Sequence, residues 1–108
     1  MNAPERHFEV VSARDSLLIR RQTLLPGEAT PWHSDACRRF SVVVRGDRLT
    51  LEYRDGGAPV ELRTHPGEAG WDEPEPRVHR AINTGTSVFE EVVTFYLDRS
   101  GMDPQPGE

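Results

Sequence analysis

The sequence predicts an all-β domain, on three observations. Nine prolines and nine glycines are scattered through 108 residues and divide the chain into segments too short for a stable amphipathic helix. Within those segments apolar and polar residues alternate with a period of two, as in a strand with one buried face. With no helix to make a crossover, the strands are expected to pair antiparallel, as a sandwich or small barrel.

Seven strands are expected, in this order. "HFEVVS" at 7–12 and "SLLIRRQTLL" at 16–25 are rich in branched apolar residues, as is "RFSVVVR" at 39–45. In "RLTLEYR" at 48–54, Leu49, Leu51 and Tyr53 share one face while Arg48, Thr50, Glu52 and Arg54 share the other. Asp55-Gly56-Gly57 closes a hairpin onto "PVELRT" at 59–64, because glycine takes a positive φ without steric cost. "RVHRAIN" at 77–83 follows, and Asn83 is expected to organise the turn before Thr84-Gly85 by bonding to backbone. "VFEEVVTFYL" at 88–97 puts Phe89, Val93, Phe95 and Leu97 on one face. The tail at 99–108 has almost nothing to bury, so one domain is expected over 1–108.

A net charge of -5 and a pI near 5.3 exclude a general nucleic-acid binder, which needs a basic surface to displace counterions from phosphate. All 13 basic residues are arginine, a bias that a GC-rich genome produces without functional cause. No apolar run is long enough to cross a bilayer, and "MNAPERHFEVV" carries charges where a signal peptide has its apolar stretch, so a soluble cytoplasmic protein without membrane partners is expected. The lone cysteine, Cys37, has no partner for a disulfide and no paired zinc-ligand pattern; it reads as a small half-buried residue. His7 and His65 read as surface or turn residues.

"PWHSDACRRF" at 31–40 concentrates the chemistry. On an extended chain His33 and Asp35 point the same way and can offer two donors to one ion. Downstream, "PGEAGWDEPEPRVHRAIN" holds Gly67, Pro74, His79 and Asn83. Together the two stretches resemble the paired motifs of the cupin family: a glycine before a His-x-His pair, a glutamate four residues on, then a second block with Pro, His and Asn. The resemblance spans about residues 24–97. It implies a double-stranded β-helix, a small jelly-roll barrel, as a homodimer with a small-molecule pocket between the motifs.

The resemblance also implies a metal site. The four family ligand positions are occupied here by His33, Asp35, Arg39 and His79. His33, Asp35 and His79 would supply two imidazoles and one carboxylate to a divalent ion such as Fe, Mn, Zn or Ni. Arg39, in place of the glutamate, brings a permanent positive charge that opposes a dication and suits bidentate contact with Asp35 or an incoming anion. Trp32 and Trp71 flank the motifs as pocket walls or as core, and the acidic run Asp72, Glu73, Glu75 can pair with Arg38 or Arg39. Two readings therefore stand open. One is a metal-dependent enzyme, oxygenase- or isomerase-like, acting on a small acidic molecule. The other is a metal-free binding or sensing module anchoring a small anion through Arg39.

Overall fold

The computed structural model describes residues 8–98, which contain no helix and therefore none long and apolar enough to cross a membrane. Nine strands follow in order: β1 (Phe8–Arg14), β2 (Leu17–Leu24), β3 (His33–Asp35), β4 (Arg38–Arg45), β5 (Arg48–Tyr53), β6 (Val60–Arg63), β7 (Ala69–Asp72), β8 (Glu75–Asn83) and β9 (Phe89–Tyr96). They form two antiparallel sheets, β1-β2-β9-β4-β7 and β3-β8-β5-β6. All seven expected strands are present with ends displaced by one or two residues; His7 and the 99–108 tail lie outside the described residues.

β3 and β7 were not anticipated. β3 is a three-residue strand of polar side chains whose pairing with β8 is irregular, His33 facing His79 while Asp35 faces Glu75. β7 reads Ala-Gly-Trp-Asp, poor strand formers apart from the tryptophan. Both exist because a neighbouring strand offers a free row of backbone groups, so tertiary context overrides local preference.

The register decides which residues face inward. In the five-stranded sheet, Leu24 lies opposite Phe89, Gln22 opposite Glu91, and Leu18 opposite Phe95. In the four-stranded sheet, Leu49 lies opposite Asn83, Leu51 opposite Ala81, and Tyr53 opposite His79. Residues opposite one another share a face, so the expected Leu49–Leu51–Tyr53 stripe does line the interior. One apolar cluster, Leu24, Val43, Leu49 and Phe89, joins the two sheets. A second gathers Cys37, Val93 and Phe95, with Leu18 and Leu97 packed against it. Between these clusters the interior is polar: Gln22, Thr30, His33 and His79 are all buried.

Two residues hold the strand ends. Asn83, 1% exposed, donates from Nδ2 to the carbonyls of Leu24 and Ser87 and accepts from the Gly85 N–H, each at 2.9 Å. The side chain thus organises its turn, as expected, and also ties β8 to the end of β2. Gly46, with φ 118°, sits so close to β9 that a Cβ there would lie 2.8 Å from Phe89 Cα. Both the backbone angle and the contact demand glycine.

Gly46→Ala is expected to cost about 2–3 kcal/mol, from strain plus overlap with β9. Asn83→Ala is expected to cost about 3 kcal/mol, because it strands buried backbone groups. Urea unfolding at unchanged m-value measures both.

Candidate functional site

The irregular pairing of β3 with β8 gathers His33, Asp35 and His79 at one point, all buried. The rings of His33 and His79 lie 4.6 Å apart between centroids. His79 Nε2 is 3.0 Å from Asp35 Oδ2, and His33 Nε2 is 3.3 Å from Asp35 Oδ1. One donor atom from each of the three lies within 4.8 Å of the others. The convergence expected from the two motifs is therefore present.

The far side of each ring fixes what this arrangement can do. His33 Nδ1 lies 2.7 Å from the Pro31 carbonyl and His79 Nδ1 lies 2.8 Å from the Arg77 carbonyl. A carbonyl only accepts, so both Nδ1 atoms carry the proton, and a neutral ring then turns an Nε2 lone pair toward the carboxylate. Lone pair facing lone pair is unfavourable at these distances. Either a second proton on the ring or a cation between ring and carboxylate relieves it. Imidazoles that bind metals are oriented by this same kind of Nδ1–H to carbonyl bond.

Arg39 joins the cluster. Its Nη1 lies 2.7 Å from Asp35 Oδ2, and its Nη2 donates to the Glu73 carbonyl at 3.3 Å. Arg38 pairs with the Glu73 side chain at 3.2 Å, and Asp72, opposite Arg39 in the β4–β7 register, accepts from Ser41 Oγ at 3.3 Å. The acidic run does meet the arginines. Burial pushes the Asp35 carboxyl up, but the His33 contact and then the charges of Arg39, His33 and His79 together hold it below its usual range.

The donor set fits a divalent ion on one side of the carboxylate. Oδ2 is taken by Arg39, whereas Oδ1 is buried without a well-formed hydrogen bond. An orphaned buried carboxylate oxygen is costly, and a cation beside it satisfies it. Donors about 2.1 Å from a shared ion stand about 3.0–3.4 Å apart. His33 Nε2 and Asp35 Oδ1 meet that spacing at 3.3 Å, within a set of three donors that lie inside 4.8 Å of one another.

Above the cluster lies a chamber of about 80 Å³ whose walls include His33, His79, Gln22, Thr30 and Glu91. A second, wider cavity of about 250 Å³ runs along β6 and β7 and is also bordered by Glu91. Trp71 borders this second cavity, 58% exposed and edge-on to Phe40 with ring centroids 5.0 Å apart. Trp32 borders neither; the guanidinium groups of Arg54 and Arg80 lie 5.1 and 4.6 Å from its ring centre. Cys37 is buried, with burial first and the Asp98 charge second pushing its thiol up. His65 is exposed in a turn.

Glu91 is the residue that sequence reasoning missed. It occupies the inward position between Phe89 and Val93 in the apolar alternation of β9, and that interruption was the available signal. Burial, then the Asp72 charge, push its carboxyl up to about 7, with Arg39 pulling weakly the other way. Among the described residues Gln22 Nε2 donates to its Oε1, a long bond at 3.4 Å.

No protein-family model and no curated protein matches the sequence. Solved structures do match the fold. A cupin domain from Bordetella pertussis Tohama I aligns with a TM-score of 0.71 at 23% identity, over 82% of this chain and 88% of its own. An RmlC-like cupin with a double-stranded β-helix from Methanocaldococcus jannaschii aligns at 0.66 and 19% identity, over 83% and 78%. An oxalate oxidase in complex with the substrate analogue glycolate aligns at 0.58 and 21% identity, over 80% of this chain but 44% of the oxidase. Two antiparallel sheets enclosing the converged motifs, matched by these structures, show that the chain has the double-stranded β-helix fold of the cupins.

Proposed function

We propose that this chain is a divalent-metal-dependent cupin enzyme, oxygenase- or isomerase-like, acting on a small acidic molecule. One observation carries the reading: the Nδ1 atoms of His33 and His79 both engage backbone carbonyls, which turns both Nε2 atoms onto a buried carboxylate with an unsatisfied oxygen. The oxidase among the structural neighbours, holding glycolate, supports an acidic ligand in such a barrel. When bound, the ion would supply Lewis acidity toward a ligand carbonyl or oxygen.

The chain's own residues account for the rest. His33, His79 and Asp35 Oδ1 would hold the ion, and the two backbone carbonyls would keep the rings aimed. Arg39 would neutralise Asp35 Oδ2 and add a positive charge beside the chamber that favours an anion. The volume of the chamber suits a small ligand.

A second reading has its own observation. The 2.7 Å contact of Arg39 with Asp35 Oδ2 balances the carboxylate charge without any metal, which suits a metal-free module anchoring an anion. Trp71 and Tyr96, with ring centroids 5.3 Å apart, and exposed Val42 leave apolar surface on the outer face of the five-stranded sheet, and this supports the homodimer inferred from the resemblance. Sedimentation equilibrium, with a Trp71→Glu variant expected to be monomeric, tests it.

Elemental analysis of protein purified without an affinity tag is expected to find about one divalent ion per chain, lost in His79→Ala. Added metal is expected to raise the melting temperature of metal-free wild type and leave His79→Ala unmoved. Arg39→Glu is expected to tighten metal binding at least tenfold, because it exchanges a repelling charge for a donor. Wild type and Arg39→Glu that both stay metal-free would leave the second reading in place.

A further inference from the structure

Glu91 borders both cavities, the chamber that holds His33 and His79 and the wider cavity along β6 and β7. No other titratable side chain borders both among the described residues. β6 ends one sheet and β7 ends the other, so the wider cavity lies where the two sheets have unpaired edges. Glu91 thus stands between the chamber lined by the histidines and the wider cavity at the sheet edges.

We propose that Glu91 is the proton-transferring group of the chamber, exchanging a proton with a small oxygen-bearing acid held between it and the imidazoles of His33 and His79. The inference rests on the site reading above and deepens it. In the forward direction the Glu91 O–H bond breaks, its electron pair stays on the carboxylate, and a bond from that proton to the ligand forms. Water in the wider cavity then returns a proton to Glu91. The reverse sequence removes a proton from the ligand. Neither direction needs an oxidant or reductant.

Three features support this role. A chamber of about 80 Å³ has room for a few waters or a small acid. The surroundings favour a carboxyl that exchanges its proton near neutrality. Facing it are Asp72 from β7 and Arg39 from β4, His33 and His79 across the chamber, and Glu68 and Arg63 along the wider cavity, while Gln22 of β2 is neutral. Finally, the weak 3.4 Å bond from Gln22 leaves Glu91 able to take a better partner, which a group locked into the core could not do.

Three measurements on the full chain test it. Carbon-13 NMR of protein labelled at the glutamate carboxyls, with Glu91→Gln to assign the signal, is expected to show one carboxyl titrating near pH 7. Its folded value is raised, so the stability it contributes is full below the ordinary glutamate range and is lost as pH rises through about 7. The melting temperature of wild type should accordingly fall across that window, and that of Glu91→Gln should not.

The decisive measurement is calorimetric titration of millimolar glycolate above pH 7, in two buffers of different protonation enthalpy. Wild type loaded with metal is expected to take up close to one proton per glycolate bound, and Glu91→Gln close to none while keeping its metal. Equal proton uptake by both proteins, no glycolate binding to wild type, or a Glu91 signal titrating with the ordinary glutamates would overturn the proposal. Should wild type take up no metal, the metal reading falls alone. The same titration on metal-free protein, with its Arg39 and imidazoles intact, then decides Glu91 by the same outcomes.

Discussion

The Asp35 carboxylate is the point on which the interior of this barrel depends. It comes from a three-residue strand, and Arg39, four residues later, belongs to a strand of the opposite sheet. Their 2.7 Å contact therefore joins the two sheets at the chamber floor. His33 and His79, partners in the β3–β8 register, close on the same carboxylate from their own sheet. A buried charge survives only when paired and hydrogen-bonded, so the carboxylate, the arginine and the two rings stand or fall together. What is left over, a single carboxylate oxygen beside an imidazole, is the chemical opportunity of the site.

The same interior holds a second carboxyl in the opposite condition. Both Asp35 and Glu91 are pushed up by burial, but Asp35 has an arginine and two imidazoles around it, and these outweigh the burial. Glu91 has a distant amide and the like charge of Asp72, with only weak help from Arg39, so burial prevails. Environment thus separates two similar groups into a permanent anion and a carboxyl poised near neutrality. Such separation is the usual way one cavity comes to hold both an electrostatic anchor and a proton carrier.

The two apolar clusters make this polarity tolerable. Leu24, Val43, Leu49 and Phe89 join the sheets in one place, and Cys37, Val93 and Phe95 pack together in another. The polar residues lie between them and border a chamber that Leu51, Ala81 and Val93 also line. Gly46 belongs to the same economy of space, since its missing side chain is what lets the β4–β5 turn rest against Phe89. The framework is hydrophobic, and the polar cluster sits in the gap it leaves.

The long strands were legible because each carries a period-two pattern of its own, and the motif histidines were legible because their types and spacing resemble a known pair. β3 and β7 were not, since their residues have little strand preference and are recruited by neighbours. Glu91 was hidden by being a charged residue inside an apolar alternation, where composition suggests a surface position. Trp32 sits beside motif residues in sequence but between arginines in space, because the side chain after Pro31 points away from the one that follows it. By itself the amino-acid sequence determined the all-β architecture and singled out His33, Asp35 and His79 as a candidate donor set, because alternation and residue type are local properties. Tertiary structure alone decided that Arg39 pairs with Asp35 and that Glu91 faces the histidines, because both depend on how two sheets are set against each other, and no local pattern encodes that distance.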